Sequence, residues 1–386
     1  MIYKTFKYRL LPNKKQHTIL SSICESQRVL YNAALQERIG CYEKTGKGRS
    51  YMDQCKSLTE LRSDSRFSNI PANLQRWTLK RLDDAYKGLF SRVKRGEKAG
   101  FPRFRGETWW KSFGFAEFSG IKFDGNRVRF KGLIGGIRVH MSRDMPKECS
   151  IKTCVFKRDL KGWYICFKCE IPIQDIKHCG DIIGIDVGLN NFATLSNSDI
   201  IPNPRIAKRH EKELRIRQRA LSRCTKGSKR RKKVRIRVTR LYNKISNIRK
   251  TFLHQKTTDI TTRYSLIAVE DLRIKNMVKS YMGKSIHDAS WGEFINMLIY
   301  KAESAGGKVV KVNPRNTSQA CSGCGHIVKK DLSVRIHKCE CGTILDRDHN
   351  AALNILALAV MGQEKPNVAE YCTRATGNIN LRGILK

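Results

Sequence analysis

The chain has 386 residues, of which 76 are Lys or Arg and 34 are Asp or Glu, so its formal net charge is +42. A hydrophobic content of 40% is typical of a folded protein and excludes a largely disordered chain. A positive excess of this size repels itself in a compact monomer. It therefore predicts a polyanionic partner, with nucleic acid as the first candidate and a membrane surface as a poorer second.

The cysteine content does not indicate a secreted, disulfide-stabilised protein, although the chain contains 14 cysteines. The N-terminal segment MIYKTFKYRLLPNKK is charged and lacks the apolar stretch of a signal peptide. No apolar run is long enough to predict a membrane span. We therefore expect a reducing cytosol, in which a few cysteines bind metal and the others are buried as apolar side chains.

The N-terminal half begins with a predicted strand, Tyr3 to Leu11, and continues with predicted helices. The first helix has an apolar stripe that begins at Leu20, the second covers Asp53 to Leu61, and the third runs from about Asn73 to Val93. From Gly120 to Pro172, short alternating segments separated by glycine turns predict a small β-barrel or sandwich. The helices are therefore predicted to be an insertion into this β domain.

A loop that combines aromatic residues with arginines, Gly100 to Phe115, lies between these parts. Such a loop suits stacking on bases and pairing with phosphates, which makes Arg103 and Arg105 candidate nucleic-acid contacts. The alternative is that Trp109, Trp110 and the phenylalanines are core residues, because large aromatic side chains are usually buried.

A second domain is predicted to begin at Asp181, where an apolar strand, a glycine turn and another strand follow one another. Tyr264 to Leu272 predicts a further buried strand. Trp291 to Ala305 predicts a helix that Ser290 caps and Gly306 ends, followed by the strand KVVKV. A strand, a helix and a strand in this order predict a crossover connection and a partly parallel sheet.

A helical hairpin that breaks at Thr225 to Lys229 lies inside this domain, and its second arm is crowded with basic residues. The alternatives are a solvated helix face or a signal-like basic run. Like charges at this density favour a neighbouring phosphate backbone. The candidate contacts are Arg230, Arg231, Lys232 and Lys233.

Acidic residues in apolar surroundings indicate a metal-dependent site. Asp186 lies inside IIGIDVG and Glu270 ends the apolar strand LIAVE, where a carboxylate costs several kcal/mol unless it is paired or binds metal. Asp348 shares a predicted helix face with Ala352, whereas Asp346 does not, so Asp348 is the third candidate. Each acid alone is more often a cap or an ion-pair partner. Together they can hold two Mg²⁺ or Mn²⁺ ions for phosphodiester hydrolysis.

Cysteines at metal-ligand spacing precede this last acid. The pattern is CxxC followed by CxC, formed by Cys321, Cys324, Cys339 and Cys341. Such thiolates can close a structural zinc site, and the loop between them has no core of its own, so the metal would supply its folding free energy. His326 and His337 are alternative ligands.

Four segments resemble successive blocks of the TnpB nucleases: GIDVGLNNFATLS, YSLIAVEDL, HDASWGEFINMLIYKAESAGGKVVKVNPRNTSQACSGCG and CECGTILDRDHNAALNI. The resemblance is dense from about Asp181 to Met361 and weaker before that, in LKRLDDAYKGLF and GFPRF. It implies a multidomain α+β protein. A RuvC-type nuclease domain of RNase H-like α/β fold, with a zinc-finger insert, would follow a β-barrel wedge domain that a helical recognition domain interrupts.

The resemblance also implies domain limits. The wedge domain would comprise residues 1–16 and 113–180, and the recognition domain residues 17–112. The nuclease domain would comprise residues 181–312 and 343–362, with its basic hairpin at 205–263. The zinc-finger-like insert would cover residues 313–342, and residues 363–386 would form a flexible tail.

The site residues that the resemblance implies are the Asp, Glu and Asp of the family's catalytic triad, which correspond to Asp186, Glu270 and Asp348 as catalytic residues and Mg²⁺ ligands. The third predicted helix is where contacts to a motif beside the target are expected, with Gln75 and Lys80 as candidates. The cofactors implied are Mg²⁺ or Mn²⁺ at the nuclease site, structural Zn²⁺ and a guide RNA.

The function that the resemblance implies is that of a transposon's RNA-guided DNA endonuclease. It would act as a monomer with a guide RNA encoded near the transposon end, and would cut double-stranded DNA beside a short motif. Its location would be the cytoplasm of a bacterium or archaeon, in association with the nucleoid and without a membrane partner. Two alternatives stay open, a guide-independent transposase or resolvase and an RNA-guided repressor that binds without cutting.

Overall fold

The computed structural model of the chain describes these residues: 2–63, 65–146, 148–172, 180–331 and 333–362. The chain divides into two compact units, Met1–Ile173 and Gln174–Lys386. The tail expected at 363–386 lies outside the described residues. Among the helices of the described ranges, none combines the length and the apolar character that a membrane crossing requires.

The first unit contains an antiparallel sheet. Its strands are β1 (Ile2–Leu11), β2 (Ser112–Phe115), β3 (Ile121–Phe123), β4 (Arg127–Phe130), β5 (Ile137–His140), β6 (Ser150–Asp159) and β7 (Gly162–Ile171). They are arranged in the order β2-β6-β7-β1-β5-β4-β3. The N-terminal strand lies inside this sheet between β7 and β5, with Phe6 opposite Phe167. The chain segment between β1 and β2 is therefore an insertion into the sheet.

Helices occupy this inserted segment: α1 (Lys14–Thr45), α2 (Tyr51–Leu61), α3 (Ser65–Ser68) and α4 (Ala72–Lys94). Helix α1 begins with a capping box, in which the side chains of Asn13 and Gln16 each accept a hydrogen bond from the other residue's backbone N–H. It ends at Gly46, which has a left-handed backbone with φ of 67°. The helices predicted from the apolar periodicity are thus confirmed, with limits that differ by one or two residues at α2 and α4.

The second unit contains a mixed sheet. Its strands are β8 (Asp181–Val187), β9 (Asn191–Leu195), β10 (Ile200–Pro202), β11 (Tyr264–Glu270) and β12 (Lys308–Val312), in the order β10-β9-β8-β11-β12. Strands β8, β9 and β10 pair antiparallel, whereas β11 pairs parallel with both β8 and β12. The predicted partly parallel sheet is confirmed. Two short strands, β13 (Ile336–Lys338) and β14 (Ile344–Asp346), form a separate antiparallel pair.

The helices of this unit are α5 (Ile206–Arg209), α6 (Glu211–Ser222), α7 (Lys229–Arg263), α8 (Ile274–Met277), α9 (Gly283–Ala289), α10 (Trp291–Ala305) and α11 (Arg347–Met361). The hairpin of α6 and α7 breaks where it was predicted to break. The expected capping of α10 by the Ser290 side chain is wrong. Ser290 has a left-handed backbone with φ of 57°, and its hydroxyl donates to the carbonyl of His287, 2.9 Å away.

Helix α11 packs directly against β8, and Gly184 makes this close approach possible. A Cβ at Gly184 would lie 2.1 Å from the carbonyl oxygen of Ala352 and 2.9 Å from the Cβ of Leu356. Ala352 and Ile355 are completely buried on the facing side of the helix. Gly184 therefore sets the separation between the strand that carries Asp186 and the helix that begins beside Asp348.

We expect Gly184→Ala to push α11 away from β8 and to lower the free energy of unfolding by about 1–3 kcal/mol or more, since the added methyl group meets backbone atoms that cannot move aside. Gly292→Ala, in α10, is the matched control, because its new Cβ would lie 3.6 Å from Ile274, an ordinary contact. Denaturant unfolding of the two variants measures the difference. Equal stabilities would contradict the close approach at Gly184.

Candidate active site

Three acidic side chains from distant parts of the sequence come together in the second unit. Asp186 lies near the end of β8, Glu270 is the last residue of β11, and Asp348 lies in the first turn of α11. Strands β8 and β11 are parallel neighbours in which Ile185 is opposite Val269. Asp186 and Glu270 therefore leave the sheet at the same edge, the carboxyl end of both strands.

These carboxyl groups lie in a poorly hydrated, negatively charged environment. Burial raises the pKa of Asp186 well above its usual value, and the negative charges of Glu270 and Asp348 raise it further. Burial also raises the pKa of Glu270, while the hydrogen bond from the Thr317 hydroxyl acts in the opposite direction. The site thus holds more negative charge than its protein surroundings compensate, which is the condition that a bound cation relieves.

The two aspartates at the start of α11 have different roles. Asp346 is the N-cap, whose Oδ1 accepts hydrogen bonds from the backbone N–H groups of Asp348 (2.9 Å) and His349 (3.1 Å). Asp348 is only 9% exposed and lies beside Gly188, and its Oδ1 is 3.1 Å from the Arg347 guanidinium. The carboxylate on the buried face of the helix is therefore that of Asp348, while Asp346 stabilises the helix end.

The ligand set fits a hard divalent cation. Carboxylate oxygens are the ligands that Mg²⁺ and Mn²⁺ prefer in proteins, and Asp186, Glu270 and Asp348 supply them from three separate elements. A cation at this position would offset the mutual repulsion that raises the pKa of Asp186. These three carboxylates are therefore the side chains that would hold such an ion.

The predicted zinc ligands also come together. Their sulfur atoms all lie within 4.8 Å of one another, with 3.6 Å between Cys321 and Cys341 and 3.6 Å between Cys324 and Cys339. A disulfide would require about 2.05 Å, whereas the corners of a tetrahedral site with Zn–S bonds of about 2.3 Å are about 3.8 Å apart. Hydrogen bonds from the hydroxyl and the backbone N–H of Thr343 lower the pKa of Cys341 to about 6, which favours the thiolate. The cluster could therefore bind a structural zinc ion.

The alternative histidine ligands do not belong to this cluster. Among the described residues, the group with metal-ligand geometry contains the four cysteines alone. His337 is completely buried and its Nδ1 contacts the ammonium group of Lys330. The backbone carbonyl of His326 accepts a hydrogen bond from the N–H of Cys321 at 2.9 Å. Four sulfur ligands without histidine would leave no open coordination position, as in a structural zinc site.

The chain segment that enters the cysteine cluster is attached to α11. Asn350 is completely buried, and its side chain accepts from the N–H of Ser322 (3.0 Å) and donates to the carbonyl of Ala320 (2.7 Å). Asn354, one turn later, donates to the carbonyls of Ala320 and Thr317, both at 2.8 Å. Sequence reasoning missed these residues. The sequence feature that could have indicated them is a pair of asparagines four positions apart, which lie on one face of the helix that begins beside Asp348.

Comparison with known proteins places this chain in a family. Residues 167–281 match the family described as "Probable transposase" (OrfB_IS605), residues 291–355 match "Cas12f1-like, TNB domain", and residues 1–47 match "Helix-turn-helix domain". A Streptomyces pristinaespiralis protein named "Putative RNA-guided DNA endonuclease" is 31% identical over 368 residues, which cover 92% of this chain and 89% of that protein. The chain belongs to the TnpB family. The Escherichia coli K12 protein named "Putative RNA-guided DNA endonuclease InsQ" is 30% identical over 380 residues. This alignment covers 92% of each chain.

Solved structures resemble this TnpB-family chain in fold. A protein from the "Cas12f1-sgRNA-target DNA complex" has a TM-score of 0.60 at 19% identity, covering 89% of this chain and 83% of that chain. The "mini-RNA-guided endonuclease CRISPR-Cas_phi3" has a TM-score of 0.54 at 12% identity, covering 95% and 93% of the two chains. The chain therefore has the mixed α/β fold of these proteins together with a cysteine cluster.

Gln75 and Lys80, the two residues of α4 that are expected to contact DNA, differ in accessibility. Gln75 is completely buried, where its amide donates to the carbonyl of Phe67 (3.0 Å) and accepts from Arg62. This side chain joins the start of α4 to the preceding loop, so the predicted contact of Gln75 with nucleic acid is not supported. Lys80 remains accessible, with Asp83 3.4 Å from its ammonium group.

The basic aromatic loop is divided between core and surface. Trp110 is buried, with its ring 5.0 Å from that of Tyr31. The backbone of Arg105 is held by Asn32, which accepts from its N–H (2.8 Å) and donates to its carbonyl (3.0 Å). Other side chains of this anchored loop are exposed: Phe101 (71%), Phe104 (53%), Trp109 (80%), Arg103 and Arg105.

The basic residues at the start of α7 are also not equivalent. The guanidinium of Arg231 donates to the carbonyls of Leu221 and Cys224, both at 2.8 Å, and so caps the end of α6. The predicted contact of Arg231 with nucleic acid is therefore not supported, because its guanidinium is hydrogen-bonded within the hairpin. The other three predicted contacts, Arg230, Lys232 and Lys233, have exposed side chains.

Proposed function

We propose that this chain is the RNA-guided DNA endonuclease of a transposon, which cuts double-stranded DNA beside a short motif. The observation that carries the proposal is the convergence of Asp186, Glu270 and Asp348 at one edge of the mixed sheet, where burial and the other two carboxylates raise the pKa of Asp186. The names of its relatives in the TnpB family supply the substrate class and the guide. A net charge of +42 supports a polyanionic partner.

The nuclease domain in this proposal is of the RuvC type with RNase H-like topology, and comprises residues 181–312 and 343–362. The sheet order β10-β9-β8-β11-β12, with antiparallel pairing on one side of β8 and parallel pairing on the other, supports it. Residues 313–342 would be the zinc-finger-like insert. Residues 1–16 and 113–180 would form the wedge domain around a recognition domain at 17–112.

In the proposed mechanism, the three carboxylates bind the metal ions. Asp186, Glu270 and Asp348 would hold a pair of Mg²⁺ or Mn²⁺ ions, which would supply activation of water and stabilisation of the leaving oxygen of a phosphodiester. The chain itself holds the ligands: strand β8 carries Asp186, strand β11 carries Glu270, and the first turn of α11 carries Asp348.

We propose that accessible basic residues in each of the two units contact nucleic acid. Arg103 and Arg105 lie among exposed aromatic rings that suit base stacking. Arg230, Lys232, Lys233 and Lys80 would contact phosphates. Base pairing with the guide would read the target sequence, while the protein supplies charge and shape and acts as a monomer with its RNA.

The guide is tested by purifying the chain from cells that also carry the DNA flanking its gene. We expect a discrete RNA to co-purify, visible as excess absorbance at 260 nm and identified by sequencing. Two other outcomes would contradict the proposal. RNA-free protein that cuts or joins DNA unaided would indicate a guide-independent transposase or resolvase, and an RNA complex that binds its target without cutting would indicate a repressor.

A further inference from the structure

Thr317 connects the acid cluster with the cysteine cluster. It is 4% exposed and belongs to the segment that leads from β12 to Cys321. Its hydroxyl donates a hydrogen bond to Oε1 of Glu270 and also lies 3.2 Å from the carbonyl of Pro314. A hydrogen bond to a carboxylate is roughly twice as strong as one to a neutral acceptor, so Glu270 is the favoured partner.

The backbone around Thr317 is held on both sides. Its own carbonyl accepts from the Asn354 amide at 2.8 Å, and the carbonyl of Ala320 accepts from both Asn350 and Asn354. Beyond Ala320 the segment ends in Cys321, whose sulfur lies in the metal-binding cluster. The position of the Thr317 hydroxyl therefore depends on α11 and on the cysteine cluster.

We propose that Thr317 is a positioning residue, whose hydroxyl orients the Glu270 carboxylate for metal binding and whose own position is fixed by α11 and the cysteine cluster. This inference rests on the proposed function, because it requires Glu270 to be a metal ligand. Partners that orient metal ligands typically contribute 10–100-fold to metal affinity or activity. The cysteine cluster would thus contribute to the reaction indirectly, through the contact of Thr317 with Glu270.

Thr317→Val removes the hydroxyl and keeps the shape of the side chain, whereas Thr317→Ser keeps the hydroxyl. We expect the valine variant, as its guide-RNA complex, to need about 10-fold more Mg²⁺ or more for half-maximal cleavage, and the serine variant to behave like the wild type. Thr261→Val is the matched control, since Thr261 is also 4% exposed and its hydroxyl donates to the helix carbonyl of Thr257 at 2.8 Å.

A second readout is independent of cleavage. Binding of Mn²⁺ to each complex is followed by electron paramagnetic resonance, with the Asp186→Ala complex as the reference for ions bound by the RNA. We expect Thr317→Val to lower the Mn²⁺ affinity. The factor should equal the factor by which the substitution raises the Mg²⁺ concentration for half-maximal cleavage. In a Glu270→Gln background the valine substitution should add no further loss, because Thr317 would act through the Glu270 carboxylate.

The outcomes separate this inference from the proposed function. If the wild-type complex does not cleave, the proposed function fails. Suppose that the wild-type complex cleaves. If the Thr317→Val complex then depends on Mg²⁺ and Mn²⁺ as the wild type does, Thr317 does not position Glu270. The same conclusion follows if the Thr317→Val complex cleaves more slowly by the same factor at every Mg²⁺ concentration. A further loss in the Glu270→Gln background, or a serine variant as impaired as the valine variant, would also overturn it. Thr317→Ala answers the same question if the valine variant does not fold.

Discussion

Changing Asp348 to asparagine should abolish DNA cleavage by the guided complex, while Asp346→Asn should leave cleavage close to that of the wild type. Loss of a metal-ligand charge removes several kcal/mol of transition-state stabilisation, so we expect the Asp348→Asn rate to fall by about 10³-fold or more. Asparagine is as good an N-cap as aspartate, so Asp346→Asn keeps the cap that Asp346 provides to α11. Single-turnover cleavage of a guided target measures both effects.

The two substitutions control for each other because both remove a carboxylate at the start of the same helix, one at the N-cap and one in the first turn. Thermal unfolding and guide-RNA binding should be nearly equal for the two variants. Retained cleavage by Asp348→Asn, or an equal loss in Asp346→Asn, would mean that the buried face of α11 does not select the catalytic aspartate.

Changing Cys321 or Cys339 to serine should remove zinc from the protein and unfold the segment around the cluster. Structural zinc sites contribute about 10 kcal/mol or more of binding free energy, which is folding free energy where a segment has no core of its own. The sulfur atoms are already within 4.8 Å of one another, as such a site requires. Cys41→Ser is the matched control, because Cys41 is a half-buried free cysteine of α1 in the first unit.

Elemental analysis and calorimetry of the purified complexes test this expectation. Wild-type and Cys41→Ser complexes should contain zinc in proportion to protein and should unfold at the same temperature. Cys339→Ser should lack zinc and begin to unfold at a lower temperature. Wild-type protein without zinc, or a Cys339→Ser variant that retains it, would show that the cluster is not a metal site.

Periodicity predicted the helices and the choice of Asp348 over Asp346, because the buried face of a helix follows from its backbone geometry. The spacing of Asp348, Ala352 and Ile355 places them on one helix face, and all three are buried. The roles of polar side chains were harder to predict, because they depend on distant partners. The Gln75 amide is hydrogen-bonded to Arg62 and to the carbonyl of Phe67. The Arg231 guanidinium is hydrogen-bonded to the carbonyl of Leu221 at the end of the preceding helix.

The aromatic loop illustrates a second limit of sequence reasoning. Trp109 and Trp110 are adjacent and identical, but the first is exposed and the second is buried against Tyr31 of α1. No local pattern distinguishes them, since the difference arises from packing against another element. Thr317 was missed for the same reason, because its hydrogen bond joins residues 47 positions apart in sequence.

Cleavage of a plasmid by the purified guide-RNA complex in Mg²⁺, compared between the wild type and Asp186→Ala, tests the central claim most directly. We predict that the wild-type complex cuts a plasmid that carries the sequence complementary to its guide and spares one that lacks it. The Asp186→Ala complex should bind the same RNA and the same target without cutting. Cleavage by Asp186→Ala at the wild-type rate would remove Asp186 from the active site and contradict this account.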